Sequence, residues 1–397
     1  MISASRNMDY RFDPEGLPAR LGLAVLVSTG YFYINVGPVI VTGLAFAEAF
    51  NNQTAGYVLS VNMYGTAAGG FLIALFVKRL NWRLMAVLSL VGLVIIDCLS
   101  AWMDVSETLY PVRFVHGLVG GALFGTAVSV VARTENPERT FALAIFLQLC
   151  LAGVWAAILT PLLLGYGVGI VWLSFIFLTV TALFVVPFLD SYPLIEDAAG
   201  EVSSKQRAPW RYVLCALLAI FIFQAAGMSL FAYVLELGFY YGFRAEFLSL
   251  VLATSLFGGG LTALLVAWWG TRMGRLIPMC VGVISMAACA ALHAVPIWWM
   301  FMAAAIGFNA CFSIAIPYLV GIGSEMDNSG QMAAVGSFTY SLGLATGPAI
   351  AAGLLDGDHY ERVLIFSCVA MLASVMVGIP SARMLDQRSK HRRVKWE

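Results

Sequence analysis

Apolar residues run along this chain in twelve long blocks separated by short polar turns, a pattern of spans rather than of amphipathic faces. The blocks fall near 20–46, 54–77, 84–102, 110–132, 140–165 and 167–189, then near 210–235, 245–268, 276–294, 296–320, 332–354 and 363–382. A helix needs about 20 apolar residues to cross a bilayer. Backbone groups in lipid must satisfy their own hydrogen bonds, so such segments fold as helices. The pattern predicts an all-α membrane protein of twelve transmembrane helices. One long polar interruption, "DSYPLIEDAAGEVSSKQRAP" (190–209), divides them six and six. The expected organisation is an N-terminal segment at 1–19, a six-helix bundle at 20–189, a linker at 190–209, a second bundle at 210–382 and a basic tail at 383–397.

Composition agrees: 61% of residues are hydrophobic and 11% charged, where soluble domains carry about 25% charged residues. The net charge is zero, which gives no reason to expect a nucleic acid or another strongly charged partner. Its distribution says more. Apart from Arg113, Arg244 and Arg362, every Lys and Arg lies at the N-terminus, in alternate loops or in the tail. The positive-inside rule then puts both termini in the cytoplasm, although the loop "GIGSEMDNSGQ" (321–331) carries no positive charge. Residues 1–19 are mixed polar and charged, so the first span is expected to act as the insertion signal, in a multi-pass protein of the inner cell membrane. The seven cysteines fall inside spans without CxxC spacing, and the four histidines are dispersed. No metal or cofactor is expected.

The halves echo one another. "VKRLNWR" (77–83) follows the second span and "TRMGRLI" (271–277) the eighth; "ENPERTFALA" (135–144) follows the fourth and "DNSGQMAAVG" (327–336) the tenth, at nearly the same spacing. "LYPVRFVHGLVGGA" (109–122) resembles the fourth-span motif L-x-x-x-R-x-x-Q-G-x-G-x-A of the major facilitator superfamily, with His116 for the usual Gln. "TRMGR" (271–275) resembles that family's loop motif D-R-x-G-R, with Thr271 for Asp. "GLATGPAIAAG" (343–353) is similar to its exporter-type Gly-Pro helix motif, here in the eleventh span. The resemblance covers nearly the whole chain and implies alternating access, with substrate held between the halves near the midplane.

Arg113 is the first candidate, because a charge inside a span needs a partner, a wet cavity or a role. Arg113, His116 and Gly120 share one helix face. In the family a matching arginine is linked to proton coupling in exporters, and that is what the resemblance implies here; a purely structural arginine is the alternative. Asp97 is the carboxylate well inside a span, at a depth that suits Arg113. The two are expected to pair, either permanently or with a change in the transport cycle, and the pair can carry a proton only if its separation changes. His116 is a candidate proton relay, since imidazole changes charge near neutral pH. A wet cavity is expected beside Arg113. Tyr31, Asn35, Asn62, Gln148, Gln224, Asn309 and Tyr340 are the polar residues expected to mark a midplane site; Tyr33 is expected to point elsewhere. Each is open to the alternative of bonding helices together. Glu236, Arg244 and Glu246 are expected at an outer surface.

No GxxxxGK[ST] motif appears, which points away from ATP-driven transport, and no HExxH or GxSxG motif suggests an enzyme. The expectation is a secondary transporter of a small organic solute, proton-coupled and exporter-like (antiport, efflux), working as a monomer in the lipid bilayer. Its alternatives are proton-coupled uptake of an organic anion, including an aromatic one, and more remotely a non-transporting sensor or a membrane enzyme.

Overall fold

The structure, a computed structural model, describes residues 11–47, 50–76, 80–103, 106–190, 192, 209–269, 274–324, 331–355 and 359–394. Most of the expected linker, the start of the N-terminal segment, the end of the tail, and Lys78, Arg79 and Thr271 of the loop motifs lie outside the described residues. The first half forms α1 (Leu17–Asn35), α2 (Gly37–Ala45), α3 (Asn52–Phe76), α4 (Trp82–Trp102), α5 (Leu109–Val131), α6 (Pro137–Tyr166) and α7 (Gly169–Val185). The second forms α8 (Trp210–Tyr240), α9 (Ala245–Trp269), α10 (Leu276–Leu292), α11 (Trp298–Ser324), α12 (Gln331–Leu354) and α13 (Tyr360–Val394).

Every apolar block is helical, with two departures. The first block is two helices, because the chain leaves helical geometry at Val36 (φ −98°, ψ 16°) and restarts with Pro38 in the first turn of α2. Proline has no N–H to continue the ladder, and a first turn is where it is tolerated. The last block continues as helix to Val394, through most of the expected tail. Among the described residues ten helices are long and apolar enough to cross a membrane, and α10 is a shorter apolar helix.

Helix pairing repeats between the halves. In the first, α3 packs on α5, α1 on α6, and α4 on α5 and α7. In the second, α9 packs on α11, α8 on α12, and α10 on α11 and α13. With α1 and α2 taken as one block, these are the same pairings six blocks later. Between the halves, α3 meets α12 and α6 meets α9, an exchange that a pseudo-two-fold axis requires.

Lipid is as apolar as a helix surface, so association depends on close approach through small residues. A Cβ on Gly65, Gly69, Gly117 or Gly121 would meet a backbone oxygen of the facing helix at 2.2, 2.0, 1.9 or 2.1 Å, so α3 and α5 touch main chain to main chain. The Gly-Pro motif works likewise: Gly343 and Gly347 seat α12 on α8, each 2.6 Å from a backbone oxygen by the same measure. Opposite faces meet lipid; on α4, Leu84, Leu88, Val91, Ile95 and Leu99 are exposed, while Ala86, Leu90, Leu93, Asp97 and Ser100 are buried.

Loops tie the bundle together at the end where the chain begins. Phe12 N–H donates to Phe188 O at 2.8 Å, Arg133 Nη1 to Tyr192 O at 3.1 Å, and Tyr192 Oη to Pro14 O at 3.3 Å. Burial, with the carboxylates of Glu15, Asp190 and Asp13 nearby, pushes the Tyr192 hydroxyl up to about 12. In the second half Gly274 (φ +76°) turns the chain into α10, and Asp386 of α13 accepts from the backbone N–H of Arg275 and Leu276. That carboxylate also pairs with the Arg275 guanidinium at 3.5 Å, serving as an anion at a helix N-terminus.

Replacing Gly121 by Val is expected to cost about 3 kcal/mol or more, the upper end for overpacking, and to abolish a monodisperse peak in size-exclusion chromatography. Gly165→Ala, where a Cβ meets nothing within 4 Å, is expected to leave the melting temperature unchanged or raised. Equal behaviour of the two variants would contradict the close α3–α5 packing.

Candidate functional site

Two polar regions stand inside the helices, one charged and sealed, one uncharged and open. In the first, Arg113 on α5 is 0% and Asp97 on α4 1% exposed. Arg113 Nη1 donates to Asp97 Oδ1 at 3.2 Å, and Nη2 donates to Ser100 Oγ one turn further along α4. The guanidinium lies over the indole of Trp172 on α7, 4.0 Å from the ring centroid. Burying a charge costs several kcal/mol. The ion pair offsets this, helped by a desolvated cation–π contact worth about 2 kcal/mol.

Asn62 on α3 completes the set. Its amide nitrogen donates to Arg113 O and to His116 Nδ1, both at 2.9 Å. An amide nitrogen accepts nothing, so His116 Nδ1 is the acceptor and the ring proton sits on Nε2. Nε2 faces Asp97 Oδ1 at 3.3 Å. Arg113 and His116 thus converge on one carboxylate oxygen, while Asp97 Oδ2 has no hydrogen-bond partner among the described residues. Tyr33 of α1 stacks beside the group, 5.3 Å from the His116 ring and 6.1 Å from Trp172.

The second region is a cavity of about 470 Å³ between the halves. Its walls come chiefly from α1, α5 and α6 on one side and α8, α11 and α12 on the other. Tyr31, Asn35 and Gln148 line it from the first half and Asn309 and Tyr340 from the second, with no charged side chain among the lining residues. Tyr31 Oη approaches Ser341 Oγ across the halves at 3.4 Å. The lining uses the first part of α6 and α12 and the last part of α11, so the cavity lies toward the end of the bundle that holds the basic loops.

At the opposite end the halves are bonded. Asn52 Nδ2 donates to Tyr360 Oη and Tyr233 Oη to Asn52 O, both at 2.8 Å. Gly56 makes room for this, since a Cβ there would lie 1.8 Å from Tyr233 Oη. Phe46 and Phe239 close edge to face beside them, 5.4 Å between centroids. A crevice of about 560 Å³ at this end has Ser100 and Trp172 in its wall, two of the three groups that hold the Arg113 guanidinium.

Several residues sit where the sequence reading does not put them. Arg113 does not face the wet cavity, because its partners come from α4 and α7 inside its own half. Asn62 takes the helix-bonding alternative, donating to α5, and does not line the cavity. Tyr33 points away from the midplane site as expected and turns into the charged group, whereas Glu236, expected at the surface, is 7% exposed within α8. Arg244 and Glu246 are exposed and 3.4 Å apart. Gln224 is fully buried next to Tyr340, its amide without a well-formed hydrogen bond among the described residues. Ser100 was findable, since it lies one turn from Asp97 on the same α4 face. Nothing in the sequence links Trp172 to Arg113.

This arrangement defines a class: two pseudo-symmetric helical halves around a central cavity, the architecture of the major facilitator fold. The structure matches that of the nucleoside transporter NupG, solved as a point variant, with a TM-score of 0.70 over 92% of this chain and 99% of that one, at 12% sequence identity. No protein-family model matches the sequence, and none of the curated proteins does.

Asp97→Ala strands Arg113 as an uncompensated buried charge and is expected to cost about 3–5 kcal/mol, read as a large fall in melting temperature. Asp97→Leu combined with Arg113→Met is expected to recover most of that loss. A single variant as stable as the parent would show that the pair is not desolvated.

Proposed function

We propose that this chain is a secondary active transporter of a small organic solute, working by alternating access with the central cavity as its solute site. What carries the reading is a cavity of about 470 Å³ between two repeated halves that are bonded together beyond it. Such a volume falls in the about 300–1,000 Å³ range of small-molecule sites. The structural neighbour's name, a nucleoside transporter, supports a solute of this size. In this reading twelve spans cross the inner cell membrane, both termini are cytoplasmic, 20–189 and 210–382 are the moving bundles, and the chain acts as a monomer. The cavity then faces the cytoplasm, and Asn52, Tyr233 and Tyr360 form the outer closure.

The charged cluster serves proton coupling in this proposal, with antiport as the direction. Asp97 Oδ2 is free of hydrogen bonds among the described residues and is where a proton would bind, while His116 Nε2 and Arg113 hold Oδ1. Uptake of an organic anion is the second reading, and the lack of a cation on the cavity wall weighs against it.

Two experiments test this. In a background without the native cysteines, Ser341→Cys is expected to react with an impermeant maleimide from the cytoplasmic side and Ala352→Cys, fully buried beside Gly56 at the closure, to be protected from outside. A neutral hydrogen bond is worth about 1 kcal/mol net, about fivefold in population, so removing the closure bonds with Tyr233→Phe and Asn52→Ala should raise outer labelling several-fold. Labelling from outside that ignores these changes would sink alternating access. For coupling, Asp97→Asn in proteoliposomes should abolish the response of transport to a pH gradient while leaving solute exchange intact; an unchanged response removes Asp97 from the proton path.

A further inference from the structure

Solute selectivity deepens the transporter reading and rests on it. No Asp, Glu, Lys, Arg or His lines the central cavity among the described residues. Arg113 and Asp97 neutralise each other inside the first half and do not reach its wall. A solute ion keeps water around it while the cavity is open, but alternating access passes through a closed stage in which that water is lost. Losing it without a counter-charge costs several kcal/mol per ion. The wall therefore discriminates against charge of either sign.

Ring placement narrows the class further. Tyr31 and Phe124, with centroids 4.3 Å apart, line the cavity from the first half, and Phe308, Phe312 and Tyr340 from the second. Rings on two sides suit a flat aromatic body, which stacks or packs edge to face against them. Polar capacity left on the wall is mostly amide. Gln148 makes no hydrogen bond to a described residue, and Asn309 spends its nitrogen on Ser255 Oγ at 3.2 Å, leaving Oδ1 open. An amide presents a donor and an acceptor side by side, and its complement is another donor–acceptor edge.

We propose that the central cavity selects uncharged, planar aromatic solutes bearing an amide-like donor–acceptor edge, and rejects carboxylates and amidinium ions of the same shape. Three probes of one shape decide it: naphthalene-2-carboxamide, 2-naphthoate and 2-naphthamidinium, titrated against purified protein in nanodiscs by tryptophan quenching and thermal shift. The carboxamide is expected to bind at least about tenfold more tightly than either ion, a difference of about 1.4 kcal/mol. Asn309→Leu is expected to weaken it by about fivefold or more, the loss of one hydrogen bond. Asn309→Asp puts a carboxylate on the wall and is expected to turn the preference toward the amidinium, which also confirms that the variant is folded.

Tight binding of 2-naphthoate that disappears in Arg113→Met would overturn the proposal and leave the transporter reading standing. Binding of none of the three, or of all three equally, overturns it as well. In that event the labelling of Ser341→Cys and Ala352→Cys judges alternating access separately, because it needs no solute.

Discussion

Main-chain contact between α3 and α5 is the constraint on which the charged interior depends. Gly117 has no Cβ, so the Asn62 carbonyl can lie where one would have been. Only at that separation does the Asn62 amide reach both the Arg113 carbonyl and His116 Nδ1. Those two bonds fix the imidazole tautomer, point Nε2 at Asp97 and leave the same carboxylate oxygen shared with Arg113. Glycines that look like packing residues are thus the first step in placing a charge inside a membrane protein.

Charge and solute site are separated by this arrangement. Every group that holds Arg113 (Asp97, Ser100, Trp172) belongs to the first half, and Asn62 and His116 belong there too. A rocking motion of one half against the other leaves all of these contacts intact. Bonds that such a motion must break are different ones: Asn52 to Tyr360 and Tyr233 at one end, and Tyr64 to Thr346 and Tyr31 to Ser341 further along. They are neutral hydrogen bonds, each worth about 1 kcal/mol, small enough to be exchanged without a deep trap. A step in which Arg113 leaves Asp97, or in which Asp97 takes a proton beside it, leaves a buried cation uncompensated at several kcal/mol, and the proton gradient would have to supply that cost.

Helices were legible because lipid imposes them: an apolar run long enough to span has nowhere else to put its backbone polar groups. The block read at 276–294 is a helix at Leu276–Leu292, and that read at 332–354 is Gln331–Leu354. Pairing of Asp97 with Arg113 was legible too, from depth alone. Rotation of each helix about its axis was not. A span that is apolar all round has no stripe to say which face turns inward, so the choice between bonding a helix and lining the cavity stayed open at Asn62, Glu236 was misplaced at the surface, and the cavity expected beside Arg113 is not the central one. Tyr31, Asn35, Gln148, Asn309 and Tyr340 reached the central cavity as a set because both halves contribute to it. Trp172 could not be found at all, since its role exists only once α7 lies against α4.

Duplication makes the placement of charge more informative. The α10–α11 pair repeats the α4–α5 pair, yet the end where its two helices join holds His293 packed edge-on to Phe301 and Phe308, at 5.1 and 6.1 Å between centroids. Two halves built to one plan therefore differ in where they hold charge. The first buries Asp97 against Arg113 between α4 and α5; the matching place between α10 and α11 holds an aromatic cluster and no carboxylate among the described residues, and the buried Glu236 of the second half lies on α8. An identical event in both halves would leave a symmetric pair balanced between its two tilts. A charge change confined to one half biases the pair, because only that half alters the cost of turning its interior toward water. In the coupling proposed above, this asymmetry is what would let a proton gradient set the direction of the motion between the halves.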